Sequence, residues 1–233
     1  MNSLVNLVKE NRIFFSISFL LVFIFGIYLS FVSRVDGFKM MNSYHNPFLY
    51  NFFNSATFIG DGLFTICISF LLVLFLKKHT KLALLLLVAY LSSGIFAQIL
   101  KTLIHAPRPS LYFKLNNYNY YLDTFANSRA GFNSFPSGHS SSAFALITVL
   151  SIYCKRKQLC FIFLVIGLVA GYSRIYLAHH FLIDVFAGAI IGILFGSLSV
   201  IWVNHNWDNI VRFFAKKLYS GSDEHMPNFP SLQ

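Results

Sequence analysis

The sequence contains little charge, few cysteines and no long basic run. Only 11% of its 233 residues are charged, and just eight are acidic. The three cysteines form neither a C-x-x-C pair nor a Cys/His cluster, which argues against a disulfide framework and a thiolate metal site. The net charge of +10 comes from Lys and Arg residues scattered in short groups, and this pattern argues against nucleic-acid binding.

Hydrophobic residues make up 56% of the chain, including 28 phenylalanines, which is more than a water-soluble domain of this size needs. They form six stretches, most of them long enough to cross a hydrocarbon core of about 30 Å as a helix. The stretches cover residues 13–32, 57–76, 82–100, 140–153, 159–177 and 183–203. The fourth is short and is expected to begin at the preceding P-S-G-H segment. The pattern predicts an all-α integral membrane bundle of six transmembrane helices.

The placement of Lys and Arg predicts the orientation of these helices, because short cytoplasmic loops are enriched in both residues. If the N-terminus is cytoplasmic, eleven of the 18 Lys and Arg residues lie inside and seven lie outside. Three of those seven belong to the polar segments described next. Both termini are therefore predicted to be cytoplasmic. Residues 1–203 are expected to form one membrane domain, with the first stretch as a retained anchor. Residues 204–233 are expected to form a partly disordered cytoplasmic tail.

Three short polar segments interrupt the apolar pattern, and this orientation places all of them at the outer face. In the first, Lys101 and Arg108 bracket a proline-containing sequence where the third stretch ends. A prolyl break bends the chain back, so that both cations can face one point. The alternative is interfacial anchoring by long basic side chains, which is common at the ends of membrane helices. Taken alone, the segment favours anchoring.

The second segment reads Pro136-Ser137-Gly138-His139 and precedes an apolar helix. Free backbone N–H groups, a glycine that permits close approach and a capping hydroxyl are features of a helix N-terminus that binds an anion. His139 is then expected to lie beside that anion. In the alternative interpretation, Ser137 simply caps the helix and His139 faces solvent.

The third segment places Arg174 near the outer end of the fifth stretch, His180 in a very short connection and Asp184 at the start of the sixth. If a helix begins near His180, the i, i+4 spacing brings Asp184 to the same face, where it accepts a hydrogen bond from one imidazole nitrogen. The other nitrogen is then available as a nucleophile. A structural ion pair is the alternative, and the presence of Arg174 favours a functional site.

In order along the chain, the segments read K-x6-R-P, P-S-G-H and S-R-x5-H-x3-D. Together they resemble the three-part signature of the type 2 phosphatidic acid phosphatase (PAP2) superfamily, which also includes vanadium haloperoxidases. All eleven fixed residues are present: Lys101, Arg108, Pro109, Pro136, Ser137, Gly138, His139, Ser173, Arg174, His180 and Asp184. The resemblance covers residues 57–203. Each segment alone is unspecific, but their ordered combination between apolar stretches is specific.

The resemblance implies a role for each polar residue of the three segments. His180 attacks phosphorus and forms a phosphohistidine, Asp184 orients it, and His139 protonates the leaving alkoxide. The phosphoryl oxygens are held by cations, a hydroxyl and a backbone N–H from Lys101, Arg108, Ser137, Gly138 and Arg174. The chemistry that the resemblance implies uses no metal and no cofactor.

Several neighbouring residues fall outside the fixed positions. His179 and His105 are expected to be surface or supporting residues. Asp61, in a G-D-G sequence, either supports a cation of the site or caps the start of a helix, and capping is favoured. The aromatic-rich loop at residues 106–135 either recognises part of the substrate or rests on the membrane surface.

These observations predict an integral membrane lipid phosphatase, similar to bacterial members, in the inner membrane with its site on the periplasmic or extracellular face. Its candidate substrates are undecaprenyl pyrophosphate, lipid A, phosphatidylglycerol phosphate and phosphatidic acid, because the three segments bind the phosphoryl group that all share. Neither nucleic acid nor an obligate protein partner is indicated. Two alternatives use the same anion site: a lipid headgroup transporter or flippase, and a vanadate-dependent haloperoxidase.

Overall fold

The computed structural model describes residues 2–128 and 130–219. In these ranges the secondary structure is helical, without strands. The α-helices follow in the order α1 Asn2–Glu10, α2 Arg12–Phe31, α3 Arg34–Met41, α4 Pro47–Ala56, α5 Gly62–Phe75, α6 Thr80–Ile104, α7 Pro109–Leu115, α8 Thr124–Asn127, α9 Gly138–Cys154, α10 Lys157–Tyr176 and α11 Leu182–Tyr219. Short 3-10 turns precede α5 at Thr57–Gly60 and α6 at Lys77–His79. The predicted all-helical class is confirmed for the described residues.

Four helices, α2, α6, α10 and α11, are long and apolar enough to cross a membrane. A fifth candidate span combines α4 and α5, which meet at a bend of 58°. The remaining predicted span corresponds to α9, whose 17 residues extend about 25 Å and fall short of a full hydrocarbon core. The described residues therefore contain four or five full-length spans, and a count of six stays a prediction.

Helix α9 lies inside the bundle and packs against α6, α10 and α11. Every residue from position 140 to 149 is buried, polar serines included. A helix that is surrounded by other helices buries all its faces, so it shows no amphipathic pattern. Its first residue is Gly138, as the P-S-G-H segment indicated. We call the end of the bundle where α9 and α11 begin the site end.

Three glycines spaced four residues apart bring α11 close to α9. A Cβ at Gly188 would lie 2.5 Å from the carbonyl oxygen of Ser137, and one at Gly192 would lie 2.5 Å from that of Ser141. At Gly196 a Cβ would lie 2.9 Å from a side-chain carbon of α9. Small residues of this kind allow helix backbones to approach closely in a membrane. The contact sets the start of α11 against the start of α9, and so joins the second and third polar segments.

The second predicted span begins with a bend. The Thr57–Gly60 turn leads into Asp61, whose carboxylate accepts a hydrogen bond from the backbone N–H of Leu63 at 3.0 Å and caps α5. The favoured capping role of Asp61 is therefore confirmed. The same turn brings Gly60 so close to α9 that a Cβ there would lie 2.6 Å from the carbonyl oxygen of His139.

Helix α11 is longer than the sequence predicted. The apolar stretch ends at residue 203, whereas the helix continues to Tyr219. No glycine or proline occurs between residues 204 and 219, and exposed polar residues are tolerated in a helix, so nothing in the sequence stops it. The predicted tail therefore begins as helix, and its residues 220–233 lie outside the described residues.

The loop between α6 and α9 folds onto α3 through a group of rings that we call the aromatic cap: Phe38, Phe113, Tyr120, Phe125 and Phe181. The ring centroid of Phe38 lies 5.5 Å from that of Phe113 and 5.4 Å from that of Phe181. Contacts between rings at these distances stabilise beyond the area they bury. The loop is therefore held by packing against protein, and a role in substrate recognition stays open.

Candidate active site

The turn between α10 and α11 holds a buried histidine next to a buried carboxylate. His180 is 2% exposed and Asp184 is 1% exposed. The Nδ1 atom of His180 lies 3.5 Å from Oδ2 of Asp184. The helix begins at Leu182, two residues after His180, so the turn rather than a shared helix face brings the two side chains together. The same carboxylate accepts the backbone N–H of Phe181 at 3.0 Å, which is capping-box geometry.

A serine that the three segments do not include completes this pair. Ser134 is fully buried, and its hydroxyl donates to Oδ2 of Asp184 at 2.6 Å. Its oxygen also lies 3.4 Å from Nδ1 of His180. The backbone N–H of Ser134 donates to the carbonyl of Ala106 at 2.9 Å, which fixes the loop at this point. The one sequence signal for this residue is its place just before the P-S-G-H segment.

The environment of His180 keeps its imidazole neutral. Burial lowers the pKa of His180 from 6.5 to about 4. The hydrogen bond to Asp184 and its negative charge oppose this change, whereas the positive charges of Arg174 and Arg108 add to it. At neutral pH the ring is therefore uncharged. With Nδ1 directed at the carboxylate, Nε2 is the nitrogen that can act as a nucleophile.

The second segment forms the N-terminus of α9. The Oγ atom of Ser137 accepts the backbone N–H of Ser140 at 3.3 Å, and the N–H of Ser137 donates to the carbonyl of Asp184 at 2.9 Å. A Cβ at Gly138 would lie 3.5 Å from Nζ of Lys101. A helix N-terminus beside an ammonium group is a favourable place for an anion. His139, the next residue along, is half-buried in the first turn.

The first segment reverses the chain, so that its two cations reach the same region. Helix α6 ends at Ile104, His105 adopts a left-handed conformation with φ of 50°, and α7 begins at Pro109. Arg108 is 8% exposed, and its Nη1 donates to the carbonyl oxygen of His179 at 3.0 Å. Arg108 is thus enclosed by protein, unlike a side chain that anchors a helix at the interface.

Arg174 and His179 form a further link in the site. Arg174 is 3% exposed, and its guanidinium donates to Oγ1 of Thr57 and to Nδ1 of His179. Since the His179 carbonyl accepts from Arg108, this histidine contacts both guanidinium groups. The sequence placed His179 among surface or supporting residues, and it is half-buried between two arginines. Thr57 was missed, because nothing in the sequence spacing marks it.

The three segments meet at the site end of the bundle. The contacts described above connect seven of the eight predicted site residues, and His139 occupies the first turn of α9 beside them. His105 lies apart, exposed, with its ring 5.2 Å from that of Phe132. In residues 2–128 and 130–219, no group of three or more His, Cys, Asp and Glu residues is arranged to hold a metal ion. The cations and the helix N-terminus can bind a tetrahedral anion, and the neutral imidazole beside them can attack it.

Comparisons with known proteins give a family match and several relatives of this chain. A family model described as PAP2 superfamily matches residues 82–208. The chain is 31% identical over 175 residues to the lipid A 4′-phosphatase of Bacteroides thetaiotaomicron, covering 70% of this chain and 75% of that protein. It is 32% identical over 133 residues to the probable lipid phosphate phosphatase 4 of Arabidopsis thaliana, which covers 47% of this chain and only 43% of that protein's length.

Two solved structures share the fold. The crystal structure of Aquifex aeolicus LpxE matches with a TM-score of 0.58 and 31% identity, over 70% of this chain and 92% of that one. The first transmembrane PAP2 type phosphatidylglycerolphosphate phosphatase from Bacillus subtilis matches with a TM-score of 0.59 over 88% of this chain and 98% of that one. Its identity is 22%, so this likeness concerns the fold alone. With the apolar helices, these matches identify a multi-pass membrane protein.

Proposed function

This chain belongs to the PAP2 superfamily, and we propose that, like the phosphatases it resembles, it removes a terminal phosphate from a membrane lipid. The observation that carries this proposal is the neutral, buried His180, held by Asp184 near Arg108 and Arg174. In phosphoryl transfer, charge spreads over three equatorial oxygens in the transition state, and fixed cations stabilise it. The arrangement therefore suits a phosphate ester or pyrophosphate.

The first displacement transfers the phosphoryl group to the protein. Nε2 of His180 attacks phosphorus, and a P–N bond forms as the P–O bond to the lipid breaks. His139 donates a proton to the departing oxygen, so that it leaves as a neutral or less charged group. Asp184 stabilises the positive charge that the imidazole acquires. The lipid product is an alcohol, or a monophosphate when the substrate is a pyrophosphate.

The second displacement regenerates the histidine. His139, now neutral, accepts a proton from water as the water oxygen attacks phosphorus. The P–N bond breaks, inorganic phosphate is released, and His180 returns to its neutral state. In both steps the phosphoryl oxygens are held by Lys101, Arg108, Ser137, the N–H of Gly138, and Arg174.

The proposed substrate is a lipid of the cell envelope, with undecaprenyl pyrophosphate or a lipid A phosphate ahead of phosphatidylglycerol phosphate and phosphatidic acid. The relatives support this class, because one is named for the 4′-phosphate of lipid A and another for lipid phosphates. The site residues contact the phosphoryl group that all four lipids share, so substrate choice depends on contacts to the rest of the lipid.

The decisive experiment is phosphate release by detergent-purified protein from these four lipids, with EDTA present. Release by the unaltered protein, and none by His180→Ala, is the expected result, together with a trapped phosphohistidine. EDTA should not inhibit, because the proposed steps use the cations of the chain itself. If folded protein released no phosphate from any of the four, the proposal would be wrong. Lipid movement without phosphohistidine would favour the transporter.

We further propose six spans with both termini in the cytoplasm of a bacterial cell and the active site on the periplasmic or extracellular face. The excess of Lys and Arg at the opposite end of the bundle supports this orientation. In a cysteine-free background, the exposed Lys114→Cys should react with a membrane-impermeant maleimide in cells whose inner membrane is intact. Lys155→Cys should react only after that membrane is opened. The reverse pattern would overturn the orientation.

A further inference from the structure

A groove lined by apolar side chains runs along α2 where this helix faces α10 and α11. It encloses about 180 Å³. On α11 its wall extends from Leu182 to Ile193, a distance of about 16 Å along the helix axis. Its walls are almost entirely aliphatic and aromatic, and they include Val22, Phe25, Leu168 and Ala189. Only Phe14 and Ser18 of α2 are fully buried, so α2 covers the bundle loosely.

The position of the groove limits what can fill it. The three helices that form its sides are candidate membrane spans, so lipid surrounds it. Water is unfavourable in a cavity that lacks several polar partners, and an empty cavity forfeits dispersion contacts on all its walls. A hydrocarbon chain is the small apolar group available at this depth. The groove is therefore suited to one acyl chain of a lipid.

A second cavity of about 160 Å³ lies toward the site end, and Leu182 lines both cavities. The walls of this second cavity include polar side chains, namely Tyr28, Ser33 and Arg34. Along α2, the lining thus changes from apolar at Val22 to polar at the helix end. This order matches an amphiphile with its chain in the groove and its headgroup in the second cavity, which we call the mouth.

The charge at the mouth selects the kind of headgroup. The guanidinium of Arg34 is exposed and lies 5.0 Å from the ring centroid of Phe181. Helix α3 also carries Lys39, and one carboxylate, Asp36, which accepts the hydroxyl of Ser33 at 2.6 Å. Neither Lys39 nor Asp36 lines the second cavity, and Arg34 is the one charged residue among the described residues of its walls. A basic side chain near the membrane surface attracts anionic lipids.

We propose that this groove binds an anionic phospholipid, with one acyl chain between α2 and the α10–α11 pair and its phosphate at Arg34. Among the described residues, the walls of both cavities are formed by side chains other than the eight predicted site residues. The proposed phosphate position at Arg34 is therefore distinct from the residues that hold the substrate phosphoryl group, and the inference stands apart from the proposed function. Because Leu182 and Ile183 follow the His180 turn directly, the lipid supports the segment that holds the nucleophile.

The test measures lipid binding directly. Delipidated protein in detergent is offered equal amounts of phosphatidylglycerol and phosphatidylcholine with identical chains, and retained lipid is measured by native mass spectrometry. The unaltered protein should retain phosphatidylglycerol about fivefold more than phosphatidylcholine. Arg34→Gln should abolish that preference. Lys114→Gln, which removes an exposed cation from the neighbouring loop, should preserve it.

A second pair of variants tests the chain site. Ala189→Trp fills the groove and should abolish retention of both lipids, whereas Ile190→Trp, at a position 38% exposed on the same helix, should not. If Ala189→Trp fails to fold, Val22→Trp tests the same groove from α2. Equal retention of the two lipids by the unaltered protein would overturn the inference. So would full retention of the preference by Arg34→Gln, or unchanged binding in a folded groove-filling variant.

Discussion

The short turn between α10 and α11 and the long loop between α6 and α9 contribute to one site in different ways. The turn covers residues 177–181, and all but His179 are fully buried. Its Ala178 adopts a left-handed conformation with φ of 55°, which the surrounding packing has to hold. The loop is several times longer and alternates between exposed and buried residues, and Arg108 and Ser134 are among the buried ones. The long loop is thus held at separate points, by its rings against α3 and by Arg108 and Ser134 at the turn, whereas the turn is packed along its whole length.

The largest expected effect comes from removing the nucleophile, which lies in the turn. His180→Ala should lower kcat by about four orders of magnitude or more, because alanine cannot form the P–N bond. His105→Asn, which alters an exposed histidine of the long loop and tolerates its left-handed conformation, should retain turnover. Phosphate release from the best lipid substrate measures both. Similar turnover by His180→Ala and the unaltered protein would refute the mechanism.

The packing of α11 against α9 should be the next most sensitive feature. In Gly192→Ala the new Cβ would lie 2.5 Å from the Ser141 carbonyl oxygen and 2.7 Å from the Ala145 nitrogen, and backbone atoms cannot move aside easily. We expect the free energy of unfolding to fall by about 1–3 kcal/mol, with a lower melting temperature in detergent.

The matched control is Gly94→Ala on α6, where no heavy atom lies within 4 Å of the new Cβ. This change should be neutral or stabilise by up to about 1 kcal/mol, because alanine favours helix over glycine. Equal destabilisation by the two substitutions would show that close packing of α9 and α11 is not the cause.

His179 tests the part of the turn that contacts both arginines. His179→Leu removes the acceptor for Arg174 and leaves the backbone carbonyl that accepts from Arg108. We expect KM and the inhibition constant of inorganic phosphate to rise about tenfold, with a smaller change in kcat. His179→Asn supplies a side-chain oxygen as acceptor and should recover most of that loss. An unchanged phosphate inhibition constant in His179→Leu would contradict this positioning role.

Ser134 tests the contact of the long loop with the turn. Ser134→Ala removes the hydroxyl that donates to Asp184, and kcat should fall about tenfold because the carboxylate loses a charge-assisted hydrogen bond. Ser128→Ala is the control, since its hydroxyl donates to a carbonyl within the same loop. Steady-state kinetics of both variants separate the two roles. A loss of the same size in Ser128→Ala would indicate a general effect on loop folding.

The smallest effect near neutral pH concerns the titration of His180. The pKa of His180 is lowered from 6.5 to about 4, so protonation of this ring should stop phosphohistidine formation only near pH 4. A single-turnover experiment measures this loss. Between pH 6.5 and 4, His180 binds a proton in the unfolded chain but not in the folded chain. The contribution of His180 to stability therefore falls as pH decreases through that window. A loss of phosphohistidine formation centred near pH 6.5 and assigned to His180 would contradict its burial.

Several elements were predictable because they depend on local properties. The cores of α2, α6 and α10 match apolar stretches, since length and hydropathy suffice to define a membrane helix. The start of α9 at Gly138 follows from the P-S-G-H segment. The start of α11 at Leu182 lies one residue before the predicted stretch, whereas its continuation to Tyr219 was not predicted. A carboxylate cap defines that start, and exposed polar residues extend the helix beyond the apolar stretch.

The candidate site also has features that the sequence predicted and features that it did not. The sequence by itself determined the membrane class, the approximate spans and the eight candidate site residues, because apolar length, residue chemistry and motif spacing are properties of the linear chain. Only the tertiary structure decided that Ser134 meets Asp184, that Thr57 meets Arg174, and that His179 joins two arginines. Hydrogen bonds and close helix packing depend on distances between segments far apart in the chain, and those distances are set only when the helices pack together.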